Sequence, residues 1–269
     1  MSQRWPHGTR AAVSFTMDNL GEAQDVNKGT WTAPIGSHPS VTDQLPRMLG
    51  MLDKHGVLAT YFVESWSLGV YGDAVRDMLA RGHEVAWHGY QHERFHTLSE
   101  DEELLNFERS FKAAAEFGVK YEGLRPPGGT INVRTWGLLR QHGVSYVSPL
   151  GSLEIKNGIV VLPFDWRAVD AFYYMEKFDA IRTSHDEQPG VLSPRAFEEY
   201  LLSAIQATVD SGGYMSILFH PFLQTSEEKM AVMDRILSRL TSDPSIWCAP
   251  CRDVASWIAA NPTSLGIPD

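Results

Sequence analysis

Residues 59–92, ATYFVESWSLGVYGDAVRDMLARGHEVAWHGYQH, form one complete unit that indicates how the rest of the chain folds. The β-branched and aromatic run at 59–63 and the apolar run at 84–87 are typical of buried strands. Between them, residues 74–80 carry apolar side chains at helical spacing, and Gly82 follows as a helix-ending residue. The segment therefore predicts a strand, a helix and a second strand, which is the building block of parallel sheets.

The same alternation continues on both sides of this unit, and no repeat or linker divides the chain. Eight strands are predicted, at 11–15, 59–63, 84–87, 123–125, 144–147, 159–162, 214–219 and 245–249. Helices are predicted between and after them, at 41–55, 74–80, 99–117, 133–141, 194–209, 227–240 and 252–259. This pattern predicts a single α/β domain over residues 1–269, a (β/α) barrel of seven or eight parallel strands. An open doubly wound sheet is the alternative.

The composition limits the classes of function. The chain has 269 residues, of which 43% are hydrophobic, so it can bury a full core. Its formal charge of −10 and the lack of any Lys/Arg block argue against nucleic acid and anionic membranes as partners. The polar start, the absence of a long apolar stretch and the presence of only two cysteines predict a cytoplasmic protein.

Polar side chains stand directly after several predicted strands, and in either fold these positions meet at one face. Asp18 follows the first strand, His88 and His92 the third, Arg125 the fourth, and His220 the penultimate one. This face is therefore where we expect the chemistry.

The histidine pair suggests a metal site. His88 and His92 are four residues apart, so on one helical turn their rings would share a face, although such a pair can also be structural. Asp18 is the natural third ligand, and three protein ligands leave a position open on a divalent ion such as zinc. His96 would lie about 12 Å from His88 on a straight helix, which is too far to share the ion.

Two further residues have candidate roles at the same face. His220 ends an apolar strand and precedes Pro221, so it either terminates the strand structurally or serves as a proton donor across from the metal. Arg125 begins the rigid turn Arg-Pro-Pro-Gly-Gly and brings a permanent positive charge to the site.

Together these segments resemble the polysaccharide deacetylase family, the NodB-type or fourth carbohydrate esterase family, whose fold is a deformed (β/α) barrel. The resemblance runs in order along most of the chain. Its segments are Ser14-Phe15-Thr16-Met17-Asp18, His88-x-x-x-His92, Arg125-Pro126-Pro127-Gly128, Leu162-Pro163 with Trp166 and Asp170, and Leu218-Phe219-His220-Pro221.

The resemblance implies a role for each matching residue. Asp18, His88 and His92 would hold the metal, and His220, oriented by Asp170, would protonate the leaving nitrogen. Arg125 would fix the acidic groups, while Trp166, with Pro126 and Gly128, would contact the substrate. It also implies hydrolysis of the amide bond of N-acetylated sugars, and homo-oligomers are expected from the same comparison.

One position departs from the family pattern. The first motif of the family has two acids, and the earlier one, the general base, is Thr16 here. A threonine hydroxyl cannot take a proton from water near neutral pH. Glu64, just past the second strand, is the first-ranked replacement, and Glu22 and Asp25 in the loop after the first strand are others.

Three alternatives remain at this stage. A cytosolic hydrolase of a small cyclic ureide or imide, similar to allantoinase, suits a chain whose loop 21–39 could cover a small pocket. The Thr16 substitution also fits a non-catalytic binding protein. Finally, the Cys-x-x-Cys at Cys248 and Cys251 resembles a redox motif, although too little chain follows it for a thioredoxin-like domain.

Overall fold

The computed structural model describes residues 4–266. Nine strands form one sheet: β1 Ala11–Asp18, β2 Thr60–Val63, β3 Glu84–Trp87, β4 Gly123–Leu124, β5 Tyr146–Val147, β6 Glu154–Lys156, β7 Ile159–Val161, β8 Tyr214–Phe219 and β9 Ile246–Cys248. The α-helices are α1 Ala23–Asn27, α2 Leu45–His55, α3 Ser65–Val70, α4 Gly72–Ala80, α5 Glu100–Phe117, α6 Thr135–Gln141, α7 Asp170–Tyr174, α8 Asp179–Ser184, α9 Pro194–Ser211, α10 Glu227–Ser242 and α11 Cys251–Ala260.

The sheet confirms the prediction of a deformed (β/α) barrel. Its strands follow the order β6-β7-β5-β4-β3-β2-β1-β8, and every ladder is parallel except the one between β6 and β7. One edge of β1 is shared, because β9 pairs with its first half and β2 with its second half. Within residues 4–266 no ladder pairs β7 with β8, and only an isolated bridge from Val169, beyond the end of β7, to Leu218 of β8 spans this gap, which is the deformation of the barrel.

Alternation of side chains along the strands separates two apolar clusters. Val13, Phe15 and Met17 of β1 belong to the larger cluster, in which the sheet packs against the helices. Ala12 of β1 and Phe62 of β2 belong to a second cluster that fills the barrel. Because both faces of β1 are covered, all eight of its residues are buried, as expected for a central parallel strand.

The long predicted elements agree with the structure, whereas several short ones had not been predicted. The helices α1, α3, α7 and α8 have six residues or fewer, which is too short for a helical period to stand out. The hairpin of β6 and β7 had a usable signal, since Asn157 and Gly158 both have positive φ, as the favoured two-residue turn requires.

No helix within residues 4–266 is both long and apolar enough to cross a lipid bilayer.

Candidate active site

A cavity of about 260 Å³ lies at the carboxyl ends of the strands. Among its lining are eight of the residues singled out from the sequence: Asp18, His88, His92, Arg125, Pro126, Gly128, Trp166 and His220. The other two, Glu64 and Asp170, are buried and contact residues of this lining.

The register of the strands explains why these side chains meet. The last paired residues of β2, β3, β4 and β5 are register partners of one another, so they lie at one level of the barrel. These partners belong to the larger apolar cluster, in which the sheet packs against the helices, so the next residue of each strand is directed to the inside of the barrel. The residues in that next position are Glu64, His88, Arg125 and Ser148.

His88 is held as a neutral ring with one free nitrogen. Its Nδ1 lies 2.7 Å from the carbonyl oxygen of Arg125, to which the N–H donates, so Nε2 keeps its lone pair. That Nε2 is 3.8 Å from Oδ2 of Asp18. Burial, helped to a lesser extent by the positive charge of Arg125, lowers the pKa of His88 to about 3. A neutral imidazole with an available lone pair is what a divalent metal requires.

His92 reaches the site from a turn, so the helical turn expected at 88–92 was wrong. The segment contains no helix, and His92 itself has φ 69°, a left-handed conformation. Even so, the His88 and His92 ring centroids are 4.9 Å apart. The amide of Gln24 contacts Nδ1 of His92 at 2.5 Å. Burial, followed by the neighbouring His88, lowers the pKa of His92 well below its usual value.

The carboxylate of Glu64 lies close to both histidines. The ligand atoms of Glu64, His88 and His92 all lie within 4.8 Å of one another, and within residues 4–266 they form the one such group. The Glu64 carboxylate accepts hydrogen bonds from the Asn19 side chain at 2.9 Å and from the Leu20 backbone N–H at 2.8 Å. Burial nevertheless raises the pKa of Glu64 to about 8. The three side chains are therefore a candidate metal site.

Arg125 organises the floor of the cavity although it is itself buried. Its Nη1 donates to Oδ1 of Asp18 at 3.0 Å and to the hydroxyl of Thr16 at 2.8 Å. Its Nη2 donates to the hydroxyls of Ser148 and Ser216. Thr16 in turn donates to the carbonyl of Ile217, so its hydroxyl is fully engaged in structure.

His220 is positioned by Asp170. The Nδ1 of His220 lies 2.6 Å from one carboxylate oxygen of Asp170, and the His220 backbone N–H donates to the other at 2.7 Å. Gln224 also donates to that second oxygen. The bridge between Val169 and Leu218 brings the start of α7 beside the end of β8, which places the two residues together. The Nε2 of His220 is left for the cavity that this residue lines.

The wall of the cavity is largely aromatic and aliphatic. Trp166 stands edge-on to both Phe164 and Phe178, with ring centroids 5.2 Å apart in each case. The loop at 21–39 contributes Gln24 to the lining, whereas its Trp31 stacks on His38 and lines no part of the cavity.

The two other acids considered as bases belong to the loop structure. Glu22 accepts hydrogen bonds from the Tyr71 hydroxyl and from the Gly36 backbone N–H, and Asp25 accepts one from Thr30. Neither acid lines the cavity.

Polar residues that contact the site residues but had not been singled out from the sequence include Gln24, Ser148, Ser216 and Gln224. Ser148 directly follows β5, so the rule that polar groups gather after strands would have found it. The other three carry no comparable signal, because they act on His92, Arg125 and Asp170 through contacts between distant segments.

Comparison with known proteins agrees with this geometry. The family profile described as polysaccharide deacetylase matches residues 25–147. A peptidoglycan deacetylase from Helicobacter pylori is 25% identical over 158 residues, covering 58% of this chain and 50% of that protein. The chain spans about half the length of the curated relatives it matches.

Solved structures share the fold over nearly the whole chain. A Mycobacterium smegmatis protein, provisionally described as a polysaccharide deacetylase, superimposes with a TM-score of 0.78 at 26% identity, covering 96% of this chain and 93% of that one. The PuuE allantoinase superimposes with a TM-score of 0.79 at 20% identity, covering 97% of this chain and 94% of that one. Taken with the ordered motifs and the barrel that carries them, these matches support placing the chain in the polysaccharide deacetylase superfamily.

Proposed function

We propose that this protein is a metal-dependent hydrolase that cleaves the amide C–N bond of an N-acetylated amino sugar. The observation that carries the proposal is the arrangement of one cavity, in which His88, His92 and Asp18 face the same space as His220. A candidate cation site and a candidate proton donor thus share a pocket, which is the pairing that metal-assisted amide hydrolysis requires.

The residues present fit a divalent metal. Two neutral imidazoles, one buried and one half-buried, and a carboxylate are typical ligands of zinc. Nδ1 of His88 is hydrogen-bonded to a backbone carbonyl, as the outer nitrogen of a metal-bound histidine usually is. We propose that Asp18, His88 and His92 hold the ion and that the ion is zinc. A divalent cation bound there supplies Lewis acidity toward the amide carbonyl.

His220 would deliver a proton to the leaving nitrogen. The hydrogen bond from its Nδ1 to Asp170 holds the ring in one orientation, so Nε2 carries the proton toward the cavity when the ring is charged. Arg125 would hold the Asp18 carboxylate in place through the ion pair at 3.0 Å.

The substrate assignment draws on the wall of the cavity and on the relatives. Trp166, Pro126 and Gly128 all line the cavity, and Trp166 brings an aromatic ring to its wall. Gly128 has φ 78°, a conformation that favours glycine. A relative named peptidoglycan deacetylase supports N-acetyl sugars as the substrate class.

A second candidate is a hydrolase of small cyclic ureides or imides. The observation that favours it is the size of the cavity, about 260 Å³, which is below the usual range of ligand pockets and suits a small ring.

The test is a substrate panel with metal-loaded protein. We expect acetate release from N-acetylglucosamine oligomers, and we expect His220→Ala to lower kcat by about 10²- to 10⁴-fold, the usual contribution of general acid–base catalysis. His55→Ala is the control, because His55 pairs with Asp234 rather than lining the cavity. Ring opening of cyclic amides without acetate release would favour the second candidate. Tight binding with no turnover of either class would indicate a binding protein.

A further inference from the structure

Two buried carboxylates flank the histidine pair, and only one of them has its charge compensated. Asp18 forms an ion pair with Arg125 at 3.0 Å. Glu64 is 1% exposed, and no lysine or arginine within residues 4–266 forms an ion pair with it. Burying a carboxylate without a neighbouring cation costs free energy. A metal ion bound beside Glu64 would supply the positive charge that its surroundings lack.

The strand register places Glu64, rather than Asp18, level with His88. Val63 and Trp87 are partners, so the residues that follow them, Glu64 and His88, occupy equivalent positions on adjacent strands. Asp18 is the partner of Phe62, which is two residues below Glu64, or roughly 6.6 Å along the strand. The ligand atoms of Glu64, His88 and His92 lie within 4.8 Å of one another, a separation that donors around one ion can close by small movements.

The orientation of the Glu64 carboxylate is built by the turn after β1. Asn19 has φ 65°, so both its side-chain amide and the N–H of Leu20 reach Glu64, one to each oxygen. The turn is itself held by a hydrogen bond of 2.8 Å from the Tyr61 hydroxyl to the Asn19 carbonyl. Donors of this kind fix the direction of a ligating carboxylate while leaving lone pairs for the metal.

We propose that Glu64 is a ligand of the divalent cation, bound together with His88 and His92. The end of β2 thereby supplies an acidic ligand in addition to the end of β1, and Glu64 is not the free base that would replace the missing acid at position 16. The inference rests on the proposed function in one respect only, namely that the histidine pair binds a cation.

The test is a titration of chelator-treated protein with Zn²⁺, followed by calorimetry and by the metal content after dialysis. We expect Glu64→Gln to weaken binding by about 10²-fold, since loss of a partner that merely orients a ligand already costs about tenfold or more. Glu22→Gln is the matched control, because Glu22 is equally buried and hydrogen-bonded but lies outside the cavity, and it should bind within about twofold of the wild type.

The outcomes separate this inference from the proposed function. If His88→Ala loses the metal while Glu64→Gln keeps wild-type affinity, the inference is overturned and the metal-dependent function stands. If the wild type binds no divalent ion, both fail. If Glu64→Gln does not fold by circular dichroism, Glu64→Asp loaded with Co²⁺ decides the matter: shifted visible bands support ligation by Glu64, and unchanged bands reject it.

Discussion

Thr16 stands where the family pattern has an acid, and its hydroxyl accepts a hydrogen bond from Arg125. The buried Arg125 guanidinium carries one positive charge, and Asp18 supplies the one carboxylate paired with it. Its remaining contacts are to neutral hydroxyls, of which Thr16 is one. A second carboxylate at position 16 would therefore leave an extra negative charge beside Arg125, whereas threonine satisfies the hydrogen bond without one.

This network predicts the effect of removing the hydroxyl. Thr16→Val keeps the shape of the side chain but leaves a guanidinium N–H and the Ile217 carbonyl without their partner. We expect a loss of about 1–3 kcal/mol in the free energy of unfolding, the usual cost of unsatisfied buried polar groups. Urea denaturation measures it, with Thr16→Ser as the control that should stay close to the wild type. Equal stability of the valine variant would show that the network contributes nothing.

The sequence located residues of the cavity lining where a polar side chain directly follows a predicted strand. His88, Arg125 and His220 were singled out because each follows a strand, and the structure places all three in the cavity lining. Their roles, His88 as a metal ligand and Arg125 and His220 as catalytic residues, stay predictions. The relation of Glu64 to the histidines could not be read from the sequence, because it depends on which residue of β2 is the partner of which residue of β3.

Among the elements, the junction of β9 and α11 carries the Cys-x-x-Cys motif, and its environment argues against redox chemistry. Cys251 is the first residue of α11, where a helix N-terminus ordinarily favours a thiolate. Burial has the larger effect here, raising the pKa of Cys251 to about 11 and that of Cys248 to about 12. The backbone N–H of Cys251 donates to Thr60 at the start of β2, so the motif lies at the other end of that strand from Glu64.

These thiols should be inert in the folded protein. Because thiolates are the reactive form, we expect a disulfide reagent at pH 8 to modify both cysteines at least about 10²-fold more slowly in native protein than in guanidinium. Absorbance of the released thiol measures the rate. Rapid labelling of the native protein would contradict the pKa directions and reopen the redox interpretation.

Elements with a strong local signal were the predictable ones. Helix α5 was expected from its apolar period and from Ser99 with Glu102, and the capping box is present in the structure. The short helices α7 and α8 had no such signal, yet α7 begins with Asp170, the partner of His220. Their position follows from the closure of the barrel between Val169 and Leu218 rather than from local preference.

For the molecule as a whole, the cluster of Glu64, His88 and His92 links stability to pH when no metal is bound. Above pH 6.5 the unfolded chain has lost the Glu64 proton, whereas the folded protein retains it up to a pKa of about 8, so rising pH favours unfolding. Below pH 6.5 the unfolded chain gains a proton on His88 that the folded protein excludes until about pH 3, so this histidine makes falling pH favour unfolding. Down to pH 4.5, the pKa of Glu64 in the unfolded chain, the effect of Glu64 opposes that of His88, so the loss of stability in acid begins below pH 4.5.

The loss of stability as pH rises should come from the titration of Glu64. Between pH 6.5 and pH 8 we expect the metal-free protein to lose about 2 kcal/mol of unfolding free energy, from 1.36 kcal/mol for each pH unit over which one proton is held. Glu64→Gln should abolish this loss, because the amide does not titrate. Urea denaturation in the presence of a chelator measures the unfolding free energy of both proteins at each pH. If the wild type and Glu64→Gln lose stability in parallel as pH rises, the loss comes from other groups.

The succession of strands and helices, the face that gathers the polar groups and the resemblance to the polysaccharide deacetylase superfamily could all be predicted from the sequence, because hydrophobic period, helix caps and ordered motifs are local properties of the chain. The turn that carries His92, the pairing of Asp170 with His220 and the closeness of Glu64 to both histidines depend on register and on the closure of the barrel. These arise from packing between segments far apart in sequence, and no local pattern encodes the distance between such segments.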